Sequence, residues 1–558
     1  MRRHPPLALL SILALAAAAA GAADLALPAG ADGAAGRIAA PGLAASTRFL
    51  ASDLLEGRAP GGRGDQLARA YLAAELESLG LAPGAADGTF QQRFEMVGVR
   101  TSAPATWTFR AAGGSVDLAG WDDYIVETGL QAPAAALADA ELVFAGYGIQ
   151  APEFGWDDFK GADLEGKVLL VLNNDPDWDP ALFGGRTRLY YGRWTYKYES
   201  AARQGAAGVV IVHTTPSAGY PWQVVQTSWS GEKFELPAGD EPRLAVRAWA
   251  TEAATRRLLA AAGQDLDALV ARARSRDFRP VPLGIRTSLR LAAELRRVET
   301  GNVLALLPGR DPARSGEVVV FTAHHDHLGV GRPDARGDAI YNGAIDNATG
   351  CAQLLGVAQA FVALPERPRR SILFAFVAAE EQGLLGSQYY AEHPTFPPGR
   401  IAAVVNFDAG NVFGRTRDVS DIAYGRSSLD RVIDAVAARQ GRVVTGDTMP
   451  DRGFFYRSDQ FNFARLGVPA LYVDGGRDFV GKDADFGRTM QERYEATCYH
   501  QPCDQVGADW DLAGLVDDAR LGFLCGLAIA EADALPTWNP GDEFAAARES
   551  ALSAAGSR

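Results

Sequence analysis

From Gly301 onward the chain repeats one pattern, a short apolar run, a loop and a helical stretch. The runs are Val318 to Ala323, Ser371 to Ala379 and Ile401 to Phe407, with helices expected from Ala348 to Leu364 and past Gly383. These runs carry little polar alternation, so each must be buried on both faces, as strands are in a largely parallel sheet covered by helices. In such sheets ligands bind beyond the carboxyl ends of the strands. That end is where this chain keeps its chemistry.

The run VVVFTA leads into His324, SILFAFVAA into Glu380 and Glu381, and IAAVVNF into Asp408. Asp346 lies in NGAIDNATG, ahead of an expected helix whose start favours an anion, where a carboxylate could bridge two cations. The chain has seven histidines, and three of them, His324, His325 and His327, share the loop TAHHDHLG. His324, Asp346, Glu381, Asp408 and His500 are imidazole and oxygen donors of the kind that suit two zinc ions, and Glu380 is a carboxylate left over to handle a proton. Asp326, two residues from His324, is placed to accept the proton of the unbound imidazole nitrogen and fix its tautomer.

A length of 558 residues suggests two or three domains, each with its own core. Residues 1–23 read as a signal peptide, from the charged head Met1-Arg2-Arg3, the apolar stretch Leu7 to Ala20 and small residues up to Ala23. A periplasmic or secreted protein follows, with no stable membrane insertion after cleavage. Residues 24–138 read as the first part of the catalytic domain. Within them, residues 41 to 95 form a helical entry broken by glycines and without chemistry of its own. Residues 139–292 read as an inserted α+β module of short strands and Gly- and Pro-containing turns. Residues 293–536 complete the catalytic domain, and 537–558 form a tail. A net charge of −14 without any basic run excludes nucleic acid as a partner. The sequence leaves the oligomeric state open.

Cys498 and Cys503 flank His500 and could close a small loop around it, although free buried thiols fit the spacing equally well. His213, ending a strand, reads as an ordinary polar residue, and His393 as exposed.

The blocks AHHDHLG, NGAIDNATG, AAEEQGLLGS, NFDAG and YHQPCD, in this order, resemble the co-catalytic zinc aminopeptidases, a family that includes glutamate carboxypeptidase-like enzymes and glutaminyl cyclases. KYESAARQGAAGVVIVH resembles the protease-associated domain inserted in several exported peptidases. The resemblance implies an α/β fold with a mixed, mostly parallel sheet flanked by helices, the zinc-dependent exopeptidase fold, and two zinc ions per chain. Asp346 would bridge them, His324 and Asp408 would complete one site, and Glu381 and His500 the other. Glu380 would be the general base. Tyr499 would stabilise the oxyanion, with Tyr456 as its rival.

Peptides would be the substrates, cut at their amino end. A carboxypeptidase, a glutaminyl cyclase and a non-catalytic binding protein on the same scaffold are the alternatives. Arg452, Arg457 and Arg477 are the residues that could clamp a terminal carboxylate. Gln460 departs from the pattern, standing where relatives often have histidine. His325 and His327 are surplus to it and read as supporting or loop residues.

Overall fold

The computed structural model describes residues 27–556, so the expected signal peptide lies outside the described residues. The strand Val318–His324 runs parallel to Ser371–Val377 on one side and to Ile401–Phe407 on the other. Ile401–Phe407 pairs in parallel with Ala470–Gly475, and antiparallel partners flank this set: Val303–Leu307 beside Ser371–Val377, and Asp418–Asp421 beside Ala470–Gly475. The result is the mixed, mostly parallel sheet expected of these apolar runs.

Successive side chains of a strand face opposite ways. Val319, Phe321 and Ala323 enter one core, while Val318 and Val320 enter another on the opposite face. Helices Thr349–Val362 and Ala513–Glu531 cover the first face. The second of these helices comes so close that a Cβ on Gly526 would lie 2.1 Å from the Phe321 ring, and one on Gly522 would lie 2.4 Å from Phe407. Helix Arg63–Ser78 joins the same core through Ala68, Leu72 and Leu76.

A second core belongs to a separate unit. Strands Ala134–Phe144, Val168–Leu172, Gly208–His213 and Val246–Thr251 pair in parallel, and Tyr124–Glu127 adds an antiparallel edge. This core starts before residue 139. Trp107, Phe109, Leu118 and Tyr124 pack in it together with Leu142, Val210 and Leu258. The hairpin Thr106–Ala119 alternates apolar and polar residues, which marks a half-buried ribbon but says nothing of which core receives it.

The strand Val281–Leu307, 27 residues long, ties the units together. Its first half pairs with Ala134–Phe144, and its second half with Gln91–Ser102 and then with the catalytic sheet. Among the described residues no helix is long and apolar enough to cross a membrane.

Candidate metal centre

The three strands bring their carboxyl ends to one crevice. His324 Nε2 faces Asp408 Oδ1 at 3.2 Å and Asp346 Oδ1 at 3.3 Å. His500 Nε2 faces the other oxygen of Asp346 at 3.2 Å and Glu381 Oε2 at 3.2 Å. Asp346 therefore offers one oxygen to each of two donor groups. Glu380 stands just outside, its Oε2 4.0 Å from His324.

Left-handed backbone at non-glycine residues accumulates around these donors: Ala379 (φ 55°) before Glu380, Ala409 (φ 72°) after Asp408, and His500 itself (φ 58°). Each such residue costs about 1–3 kcal/mol, and such conformations cluster where side chains must be aimed. The Asp346–Asn347 peptide bond is cis.

The electrostatics point to cations. Burial raises Glu380 well above the usual carboxylate range, with the neighbouring charges of Asp408 and Glu381 adding to the shift and His324 opposing it. Burial likewise pushes Glu381 up to about 8. Burial also acts to raise Asp346, but hydrogen bonds from His324 and His500 outweigh it and hold that carboxyl well below its ordinary value. Glu381 Oε1 is buried, with His327 Nδ1 close by but no hydrogen bond of good geometry to it. Carboxylates packed this closely take up protons unless positive charge lies among them, and mixed imidazole and carboxylate donors suit zinc. The residues fit the ion.

His327 stands nearer to this group than a loop residue would. Its Nδ1 is 2.7 Å from Glu381 Oε1, and with Asp346 and Glu381 it forms a second possible donor trio. Burial lowers it to about 4, which keeps its imidazole neutral. His325 points away and binds Asp65 at 3.0 Å.

Asp326 is placed differently from the expectation. His324 Nδ1 lies 3.3 Å from the Asp326 backbone carbonyl and 3.7 Å from the carboxylate. The carboxylate instead accepts the backbone N–H groups of Glu380 (3.0 Å) and Glu381 (3.3 Å). It fixes the glutamate turn more directly than the imidazole.

Tyr499 packs against His500 with ring centroids 4.0 Å apart and the rings tilted by 35°, and its hydroxyl oxygen accepts from Arg457 Nη2 at 3.1 Å. The rival Tyr456 donates its hydroxyl to Glu543, which ties that oxygen to another part of the structure. Gln460 is buried and bonded to Asn406 and to the Phe455 carbonyl. His213 is bonded to the Tyr220 carbonyl, and His393 is exposed.

Cys498 and Cys503 form a disulfide around His500, while Cys351 and Cys525 are free and buried. The other nitrogen of His500, Nδ1, is 2.7 Å from Ser228 Oγ, which belongs to the second unit. Asp504 accepts the backbone N–H groups of Ile345 (2.9 Å) and Asp346 (3.1 Å) and the Tyr494 hydroxyl (3.1 Å), so it holds the Asp346 loop.

The helical entry contributes as well, contrary to its reading as a segment without chemistry. Arg58 is fully buried and donates to the carbonyls of His325 (2.8 Å), Asn342 (2.6 Å), Gly343 (2.9 Å) and Leu50 (2.5 Å). One guanidinium thereby fixes both the histidine loop and the Asp346 loop. Arg58→Ala would leave these acceptors buried and unpaired, and the expected loss is at least about 3 kcal/mol of folding stability. Chemical denaturation checks this, and a loss below about 1 kcal/mol would show that water replaces the guanidinium.

A mixed sheet with imidazole and carboxylate donors gathered beyond its strand ends is the scaffold of a metal-dependent hydrolase. Residues 302–523 match the model of peptidase family M28, and the five sequence blocks resemble the same group of zinc peptidases. Leupeptin-inactivating enzyme 1 of Streptomyces exfoliatus is 26% identical over 209 residues, 37% of this chain and 43% of that protein. An aminopeptidase of Pseudomonas aeruginosa is 27% identical over 225 residues, 38% of this chain and 38% of that protein. These matches span less than half the length of those relatives. Among solved structures, the aminopeptidase from Aneurinibacillus sp. strain AM-1 has the same fold, with a TM-score of 0.52 and 19% identity over 91% of this chain and 96% of that one.

Proposed function

We propose that this protein is an exported zinc aminopeptidase that removes residues from the free amino end of peptides, using two metal ions and Glu380 as general base. The observation that carries this reading is the pair of donor groups sharing Asp346, with Glu380 beside them and outside both. His324, Asp346 and Asp408 would hold one ion, and Asp346, Glu381 and His500 the other. Two zinc ions, when bound, lower the pKa of a shared water and polarise a carbonyl.

The chain's own residues do the rest. Glu380 takes the proton of the attacking water and delivers it to the leaving amine, a task suited to a carboxyl whose proton affinity is raised by burial. Arg457 donates to the Tyr499 oxygen, which leaves the phenol proton free to meet the oxyanion. Asp326 keeps the Glu380–Glu381 turn rigid through two backbone hydrogen bonds. Ser228 orients His500 so that Nε2 faces the carboxylates. The second unit, read as a protease-associated domain, thereby touches the centre through Ser228.

The test is metal content of the purified protein together with hydrolysis of amino-acid anilides before and after chelation. About two zinc ions per chain, and chelator-sensitive release from free but not N-blocked substrates, are expected. One ion or none, with no release from any anilide, would sink the proposal.

A further inference from the structure

We propose that Arg188, Arg193 and Arg457 form a carboxylate-binding subsite beside the metal centre, so that preferred substrates are short peptides with a carboxylate close to the scissile bond. The inference rests on the exopeptidase reading above and narrows its substrate class.

One cleft runs between the two units. Glu380, Glu381 and His500 line one part of it, Arg188 and Arg193 come from the second unit, and Arg457 from the catalytic one. Other cations around the cleft are already engaged. Arg247 pairs with Glu127 at 3.1 Å and also with Glu235, and Arg243 pairs with Glu235 at 2.6 Å. Arg452 pairs with Glu495, and Lys233 donates to the Ser228 carbonyl at 2.7 Å. Arg477, the third arginine singled out in the sequence, pairs with Asp474 at 2.9 Å.

The remaining three have no carboxylate within ion-pair distance among the described residues. Arg188 spends Nε on Asn174 Oδ1 at 2.9 Å, and its Nη2 is buried without a partner. Arg457 spends Nη2 on Tyr499 and leaves Nη1 buried and unpartnered, with its guanidinium lying over the rings of Phe454 (4.9 Å) and Tyr220 (5.3 Å). Arg193 lies beside the Trp194 ring at 5.7 Å, with the charges of Arg457 and Glu380 near it. Burial, helped by repulsion from Arg457, pulls Arg188 down to about 10, against the pull of Asp175.

Guanidinium groups gathered in a desolvated cleft without a carboxylate in direct contact carry an uncompensated desolvation cost, and an arriving anion relieves this. A planar carboxylate matches the guanidinium fork with paired hydrogen bonds. Glu380 and Glu381, which line the same cleft, favour a singly charged group over a phosphate. Position follows from contact: Arg457 holds Tyr499, and the Tyr499 ring packs against the candidate ligand His500. The bound carboxylate therefore sits within one or two residues of the bond to be cut, as a dipeptide's own terminus or as an acidic side chain.

Two substrate pairs separate these sources. Ala-Ala is compared with its C-terminal amide, and Ala-Glu-amide with Ala-Gln-amide. In at least one pair, kcat/KM is expected to favour the acid by about tenfold or more, mainly through KM. Arg193→Ala and Arg188→Gln should each bring that ratio towards one. Calorimetry of the same pairs on zinc-loaded Glu380→Gln protein reads binding apart from turnover. Equal kcat/KM and equal binding within both pairs would overturn the subsite. Tighter binding of the acid without turnover of any peptide by the wild-type protein would uphold the subsite and refute the exopeptidase reading instead.

Discussion

Glu380→Gln is expected to lower kcat by about 10²–10⁴-fold while leaving metal content unchanged, because a positioned general base contributes on that scale. The amide keeps the volume and planarity of the carboxyl but cannot accept and return a proton. Coordination should survive, since Glu380 Oε2 stands 4.0 Å from His324 whereas Asp408 and Asp346 lie at 3.2 and 3.3 Å. The turn should survive too, because Asp326 holds it through the backbone N–H groups of residues 380 and 381 and not through the side chain being changed. Metal analysis and steady-state kinetics on one preparation decide the matter. Near wild-type turnover would move the base elsewhere, and loss of zinc would make Glu380 a ligand.

The sheet was legible because burial on both faces leaves a direct trace: Val318–His324, Ser371–Val377 and Ile401–Phe407 are almost wholly apolar and occupy the centre. His324, Glu381 and Asp408 were legible because each ends or closely follows such a run, so the topology that orders the strands also gathers their side chains, whereas Asp346 and His500 stand in loops and were legible through the resemblance of their sequence blocks. What supports the donors left no such trace. Arg58, Ser228 and Asp504 are single residues whose partners lie far along the chain, and each acts through backbone carbonyls, backbone N–H groups or one imidazole nitrogen. Nothing in LLEGRAP signals a buried guanidinium, and only the fold shows which carbonyls it faces. Arg188 and Arg193 were hidden for a related reason. Seen along the sequence they sit in an aromatic stretch of the second unit, more than 180 residues from Glu380. The hairpin at 106–119 shows the same limit for packing, since alternation reveals a buried face but not its partner.

Asp346→Ala should reach further than the loss of any other single donor. The two histidines of the centre face different oxygens of this one carboxylate, His324 at 3.3 Å and His500 at 3.2 Å, so both donor groups lose a member together. Loss of a merely supporting residue around a metal ligand costs about 10–100-fold in affinity, and removal of a shared ligand should exceed that at both positions. Glu381→Ala gives the contrast, because Glu381 faces His500 and His327 but has no contact with His324 within ion-pair distance among the described residues. The expected order in zinc retained after dialysis is therefore wild type above Glu381→Ala above Asp346→Ala, with turnover falling in the same order. Asp504 keeps the loop in place through backbone N–H groups that the Asp346 substitution does not touch, so circular dichroism should show a folded protein in both variants. Zinc content of Asp346→Ala equal to that of wild type would refute the bridging role, and loss confined to one ion would make Asp346 an ordinary ligand of a single site.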